Sequence, residues 1–283
     1  MIPMNNGNSL HILLTNDDGH SAPGIRALQR VFKQSGHRVS MVAPSTQQSA
    51  SSMAVTSRRN LALQQIGDDS WHLDGQPADT VLVALRHLLE DNPPDLVLSG
   101  INFGPNVGTA IYMSGTIGAA MMASLYGIPA IAVSAGMRFN EIESEFPSTL
   151  EALTPAAEFV SSVVASLQSS RDDNGRLLPE NIMLNINYPA LPRDQIKGVL
   201  HPEVSNRHLI QMGYRRCKET GQVIPGFFAG VDPEQPHKED HDIRAHMEGY
   251  ITISAIKPHW NPPSSEADEL RQRLGSLGFG VED

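Results

Sequence analysis

Two adjacent carboxylates, Asp17 and Asp18, follow directly on a short apolar run, His11 to Thr15, with Asn16 before them and Gly19 after. Acids paired at the end of a buried strand repel each other and lose solvation unless a cation joins them. A divalent metal ion is the simplest such cation. Held there, it would make Asp17 and Asp18 catalytic as well as ligating, because a metal polarises a substrate oxygen and acidifies a bound water. Asn16 lies beside them as a neutral amide that could steady a substrate oxygen.

Two further polar loops stand in corresponding positions. One runs from Ser45 to Ser52 and the other contains Ser99, Asn102 and Asn106. Carboxylate, hydroxyl and amide oxygens form a hard donor set suited to Mg²⁺, Mn²⁺ or Ca²⁺ rather than to zinc. Next comes Met113-Ser114-Gly115-Thr116-Ile117-Gly118. A hydroxyl and a glycine at a helix start leave backbone N–H groups facing outward at the positive end of the dipole, where a phosphate oxygen can sit. Ser114 also serves as a plain N-cap; beside the acidic loop, phosphate binding by Ser114, Gly115, Thr116 and Asn106 is the preferred reading. Gly75 to Asp79 reads as a turn with a helix cap, which makes Asp79 structural. The late histidines, His201, His208, His237, His241, His246 and His259, include a helical spacing at His237 and His241 but no HExxH pattern, so they define no zinc site.

These loops need strands to carry them. Apolar periodicity predicts strands over 11–15, 38–43, 96–98, 130–134 and 182–186, and helices over 23–35 and 114–126. A helix capped by Asp79 carries Val81, Leu82, Leu85, Leu88 and Leu89, and another carries Leu150, Leu153, Ala157, Val160, Val164 and Leu167. Residues 53–73 read as short extended pieces. This alternation is that of an α/β fold with a doubly wound, mostly parallel sheet. Loops after parallel strands meet at one end of such a sheet, which is where ligands bind. Beyond Pro189 the pattern is lost until a strand over 249–254 and a terminal helix over 264–277. The expected organisation is therefore a core over 1–189 and a C-terminal arm or hairpin extension over 190–283. A long irregular section of this kind reads as a lid, an arm or a subunit contact.

Composition narrows the partners. A net charge of −10 over 283 residues argues against a groove for a nucleic-acid duplex, which needs a basic track. A small phosphorylated ligand handled through a metal remains compatible with that acidity. The single cysteine, Cys217, excludes an intrachain disulfide and suits a reducing compartment. The first ten residues lack the cationic and apolar segments of a secretory signal. The stretch from Leu96 to Met137 is free of charge, yet its glycines, asparagines and prolines make it a poor membrane span.

The blocks ILLTNDDG with PGI, VAP with a downstream serine, GQPAD, LVLSGINFGPNVG and SGTIGAA, in this order and spacing over 11–190, closely resemble the SurE survival-protein family. The resemblance implies a Rossmann-like core, a cytoplasmic location and metal-dependent hydrolysis of nucleoside 5'- and 3'-monophosphates, with exopolyphosphatase activity besides. It assigns one divalent ion per subunit, Mg²⁺ or Mn²⁺, to Asp17, Asp18, Ser49 and Asn102. Ser49 shares its loop with Ser45, Ser51 and Ser52. Homodimers or homotetramers built through C-terminal segments are also implied. The chain departs from the family's pattern near Ser205 to Tyr214, at Phe227-Phe228 and at Asp240-His241, while Asp242 and Gly249-Tyr250 match.

Competing readings fail on particular residues. An aspartyl-phosphate route would need an acid where Asn16 stands. A signalling receiver would need an aspartate and a lysine in the loops that here read Ser99 to Asn102 and Ser134 to Gly136. A dinucleotide site would need G-x-G-x-x-G in the first turn. The alternative that remains is a receiver-like or nucleotide-binding module without hydrolase activity, and phosphate release separates it from an enzyme.

Overall fold

A computed structural model of the chain describes residues 9–229, 241–258 and 264–274. Strand β1 (His11–Thr15) and helix α1 (Pro23–Gln34) fall where the apolar spacing puts them, followed by β2 (Arg38–Pro44). The loosely patterned 53–73 region forms an antiparallel pair, β3 (Leu63–Gly67) and β4 (Ser70–Leu73). Helix α2 (Pro77–Val83) is shorter than its apolar pattern suggests. It widens into a π turn over Ala84–Leu88, closed by Leu89 N–H on the Ala84 carbonyl at 2.8 Å, before Pro93 and Pro94 bar further helix.

The uncharged stretch resolves into β5 (Leu96–Phe103), a 3₁₀ segment, α3 (Gly115–Leu125) and β6 (Ala130–Ala135). Helix α4 (Pro147–Ser169) and β7 (Met183–Tyr188) follow. By length and composition α4 is apolar enough to cross a membrane. In the fold, its Ala152, Leu153, Ala156, Ala157, Val160 and Val164 are buried in the core beside α1. Strand β7 runs two residues past its expected end because Asn187 and Tyr188 still pair with Ser134 and Ala135 of β6.

Among the described residues the main sheet has the order β3-β4-β2-β1-β5-β6-β7 and then two strands from the C-terminal portion, β11 (Ile251–Ile256) and β8 (Val199–Leu200). Strands β2, β1, β5, β6 and β7 are mutually parallel, and β11 runs antiparallel to β7. Strand residues alternate between two cores. Ile12, Leu14, Leu96 and Leu98 face α1 and α4, whereas Leu13 and Val97 face α2 and α3. The result is an α/β sandwich of helices on both faces of a mostly parallel sheet. Residues 190–258 supply more structure than their sequence announces: β9 (Ile210–Arg216) and β10 (Val223–Ala229) make a separate antiparallel hairpin, and α5 (His241–Met247) precedes β11. Of the expected terminal helix, Ser264–Leu274 is α6, and Leu277 lies outside the described residues.

Two glycines set how the helices meet the polar loops. A Cβ on Gly24, at the start of α1, would stand 2.1 Å from the Ile101 carbonyl oxygen, so only glycine lets α1 abut the end of β5. A Cβ on Gly118 would stand 2.1 Å from the Ser52 carbonyl oxygen. An exposed helix glycine replaced by alanine normally gains stability, up to about 1 kcal/mol. For Gly118→Ala the sign reverses: overpacking against a backbone oxygen is expected to cost about 1–3 kcal/mol. Urea unfolding of the variant checks this.

Candidate active site

The strand order places the C-terminal ends of β2, β1 and β5 side by side, so the three polar loops converge. Thr15 closes β1 with its hydroxyl 2.6 Å from that of Thr80 on α2. Asn16 is fully buried and ties the next turn to itself: its Nδ2 donates to the Gly19 carbonyl at 2.9 Å, and its Oδ1 accepts the Gly19 N–H at 3.2 Å. That turn sends the two acids to different neighbours.

Asp17 is 5% exposed and accepts a 2.5 Å hydrogen bond from the Thr116 hydroxyl. The backbone N–H groups of Gly115 and Thr116 also favour its carboxylate, yet burial outweighs them and pushes its pKa up. Asp18 accepts the Phe103 N–H at 3.1 Å and a bond from the Gln47 side chain. Burial, and then the neighbouring Asp17 charge, push Asp18 up to about 7. Among the described residues no lysine, arginine or histidine forms an ion pair with either acid.

The 45–52 loop is stitched to these acids. Gln48 N–H donates to the Asp17 carbonyl at 2.7 Å, and Gln47 Nε2 donates to Ser49 Oγ at 3.0 Å, so Gln47 joins Ser49 to Asp18. Ser52 binds the other wall, its N–H on the Met113 carbonyl at 2.9 Å and its hydroxyl on the Tyr112 carbonyl at 2.8 Å. Further along, Thr56 is braced by Asp79, whose carboxylate accepts the Thr56 N–H, the Thr56 hydroxyl and the Gln76 N–H. Asp79 is thus a structural cap, and one that also steadies the serine loop.

On β5, a register irregularity between Ser99 and Asn102 leaves Gly100 and Ile101 without partners on β6, and pairing resumes with Asn102 opposite Ser134. Asn102 Nδ2 donates to the Gly104 carbonyl at 2.7 Å. No hydrogen bond among the described residues falls on its Oδ1, the end that a hard cation prefers. At the start of α3, Ser114 Oγ accepts the Ile117 N–H at 3.1 Å as an N-cap. The α3 N-terminus and the Thr116 hydroxyl therefore face the chain's own Asp17. Asn106 is buried, with Nδ2 on Ser134 Oγ at 2.9 Å.

The structure thus brings Asp17, Asp18, Asn102, Gly115, Thr116 and the Ser49 loop to one place, with Asn16 and Ser114 committed to local bonds beneath them. A divalent cation suits that place. A buried carboxylate and a partly buried one, without a cationic partner among the described residues, are joined there by neutral oxygen donors. Sequence reasoning did not find Gln47, the Thr116–Asp17 bond or the Thr56–Asp79 brace. Local pattern marks Thr116 and Asp79 as residues of interest but not the partners they meet, and it does not mark Gln47 or Thr56.

The histidines are scattered. His201 and His241 are exposed, and the His208 ring bonds the Thr109 hydroxyl. His246 is buried, and burial holds its imidazole down to about 4. His237 and His259 lie outside the described residues. Asp242, fully buried, accepts N–H bonds from Gly108, Ser205 and Ile243, which joins the active-site end of the sheet to the C-terminal portion.

Comparison with known proteins gives the family. The family profile described as "Survival protein SurE" matches residues 12–211. Proteins named 5'-nucleotidase SurE are similar over most of their length. That of Symbiobacterium thermophilum is 37% identical across 87% of this chain and 91% of its own. That of Desulfitobacterium hafniense is 35% identical across 94% and 97%. The crystal structure of the SurE protein from Aquifex aeolicus superposes with a TM-score of 0.73 at 30% identity, covering 93% of this chain and 99% of the other. By profile, by sequence and by fold, the chain belongs to the SurE survival-protein family.

Proposed function

We propose that this chain is a phosphomonoesterase that hydrolyses nucleoside monophosphates to nucleoside and inorganic phosphate, using a divalent metal ion held by Asp17, Asp18, Ser49 and Asn102. The observation that carries the reading is the acid couple after β1, Asp17 buried and Asp18 partly buried, with no ion-pair partner among the described residues, beside the loop ends of β2 and β5. The names of the relatives supply the substrate class, and action on 3'- as well as 5'-phosphates, with exopolyphosphatase activity besides, belongs to the same proposal.

When bound, Mg²⁺ or Mn²⁺ supplies Lewis-acid polarisation of a phosphoryl oxygen and a lowered pKa for water. The chain's own part is to fix the donors. Thr116 holds Asp17, Phe103 N–H and Gln47 hold Asp18, and Gly104 turns the Asn102 amide. In the reaction a water oxygen bonds to phosphorus, the bond from phosphorus to the nucleoside oxygen breaks, and that oxygen takes up a proton. Asn106 and the α3 start would steady the phosphoryl oxygens that carry growing charge.

The same reading takes 1–189 as the nucleotidase core and 190–283 as the segment for self-association, as homodimer or homotetramer. Its support is the β9–β10 hairpin, a two-stranded sheet that pairs with no other strand among the described residues and leaves Tyr214 and Val223 exposed, of a kind that is marginal without further packing. A cytoplasmic setting belongs to the same proposal, supported by a lone cysteine that suits a reducing compartment, and the acidity of the chain disfavours a nucleic-acid duplex as partner.

The test is phosphate release from 5'-AMP, 3'-AMP and p-nitrophenyl phosphate, with Mn²⁺, Mg²⁺ or EDTA. Release with the metals and loss with EDTA is expected. No release with any metal would overturn the proposal in favour of a binding module.

A further inference from the structure

We propose that Asn185 and Asn187 of β7 are positioning residues for the active-site loop, acting through Asn106. Strand β5 ends at Phe103, so the backbone at Asn106 has left the sheet and needs another source of order. It finds one two strands away. Asn187 Oδ1 accepts the Asn106 N–H at 2.7 Å, and Asn187 Nδ2 donates to the Asn106 carbonyl at 3.1 Å. Asn185 Nδ2 donates to that same carbonyl at 2.8 Å. Strand β6 adds Ser134, whose hydroxyl takes the Asn106 side-chain N–H at 2.9 Å. Both peptide groups of this one loop residue are held by side chains rather than by ladder bonds.

Strand alternation explains the spacing: Asn185 and Asn187 project from the same face, so both amides reach one target. The cost of this arrangement marks its purpose. Asparagine is disfavoured in strands, and these two are fully or almost fully buried, at 0% and 1% exposure. Asn185 Oδ1 is moreover buried without a partner among the described residues, a penalty that an apolar side chain would avoid. A strand selected for stability alone would carry valine or isoleucine here. Paired amides instead set a single backbone geometry at Asn106, four residues beyond Asn102.

The inference rests on the phosphatase reading for its kinetic arm only. In Asn187→Ala, which removes two of the three side-chain bonds to the Asn106 peptide groups, kcat/KM for AMP is expected to fall about 10–100-fold. The fall should lie mostly in KM, with a parallel rise in the Ki of inorganic phosphate, while Mn²⁺ affinity stays within about twofold because Asn106 is outside the proposed ligand set. Asn185→Ala, which removes only one of two donors to the carbonyl, should show a smaller change in the same direction. It serves as the test if Asn187→Ala fails to fold. Independently of activity, hydrogen exchange in a peptide spanning 103–110 should accelerate in both variants by more than any change in global stability accounts for.

Unchanged exchange in that peptide, or unchanged KM and Ki in an active variant, would overturn the positioning role. An inactive wild-type protein whose variants still show faster local exchange would sink the phosphatase reading and leave the positioning role standing.

Discussion

Asp17→Asn should abolish metal-dependent phosphate release while leaving the fold intact. The two side chains are nearly isosteric, and the asparagine Oδ1 can still accept the Thr116 hydroxyl that now sits 2.5 Å from the carboxylate. What is lost is the negative charge. A bound metal supplies several kcal/mol of transition-state stabilisation, and each 1.36 kcal/mol is tenfold in rate. A loss of about 10³-fold or more in kcat/KM is therefore expected, together with loss of the thermal shift that Mn²⁺ gives the parent. Metal-free, the variant should be no less stable than the parent, because it removes a carboxylate whose ionisation burial opposes. Thr116→Val gives the graded companion: the acid remains but is no longer oriented, for a loss of about 10–100-fold. Full activity in Asp17→Asn would remove Asp17 from the metal site and with it the basis of the proposed chemistry.

The legible and illegible parts of this molecule divide by range along the chain. Strand β1 and helix α1 were readable because an unbroken apolar run and an i, i+3, i+4 pattern are local signals, with Pro23 at the first helical turn and Gly36 just past the end. Convergence of the three polar loops was readable because it follows from parallel strands alone, and the order β2-β1-β5 delivers it. The support for the acids was not. Thr116 meets Asp17 across 99 residues of sequence, and Asn187 meets Asn106 across 81. A threonine after a glycine and an asparagine in an apolar strand have no local pattern that betrays such partners. An arm or hairpin extension is expected beyond Pro189, but the β9–β10 hairpin could not be placed in it for another reason. Its strands contain Gly213, Arg215, Arg216, Pro225 and Gly226, which dilute the period of two, and its turn offers only Gly221 as a signal.

Asp18 supplies the second large effect, visible when the protein is stripped of divalent ions with EDTA. Its carboxyl is raised from 3.8 to about 7, by burial first and by Asp17 second. A group whose folded pKa lies above its unfolded value binds a proton in the native state across the window between the two. Its stabilising contribution is therefore present at the acid end and is lost as pH rises towards 7. At 1.36 kcal/mol per unit, the ionised group costs the metal-free fold up to about 4 kcal/mol above pH 7. His246 works in the opposite sense, since burial depresses it from 6.5 to about 4 and stability falls as pH drops through that window. The wild-type pH profile alone therefore mixes several slopes, those of the raised Asp17 and Asp242 among them, and the informative quantity is the difference between the parent and Asp18→Asn. The asparagine keeps an acceptor for the Phe103 N–H but never ionises. In EDTA, urea unfolding should find Asp18→Asn more stable than the parent at pH 8, by an amount approaching that ceiling, with the gap closing by more than half at pH 5. Mn²⁺ at about 100 times its Kd should then return about 2.7 kcal/mol to the parent at pH 8. It should return much less at pH 5, where the ion must displace a proton. A gap that does not move with pH would mean that Asp18 is solvated or paired in solution, and the case for a cation between the two acids would fall with it.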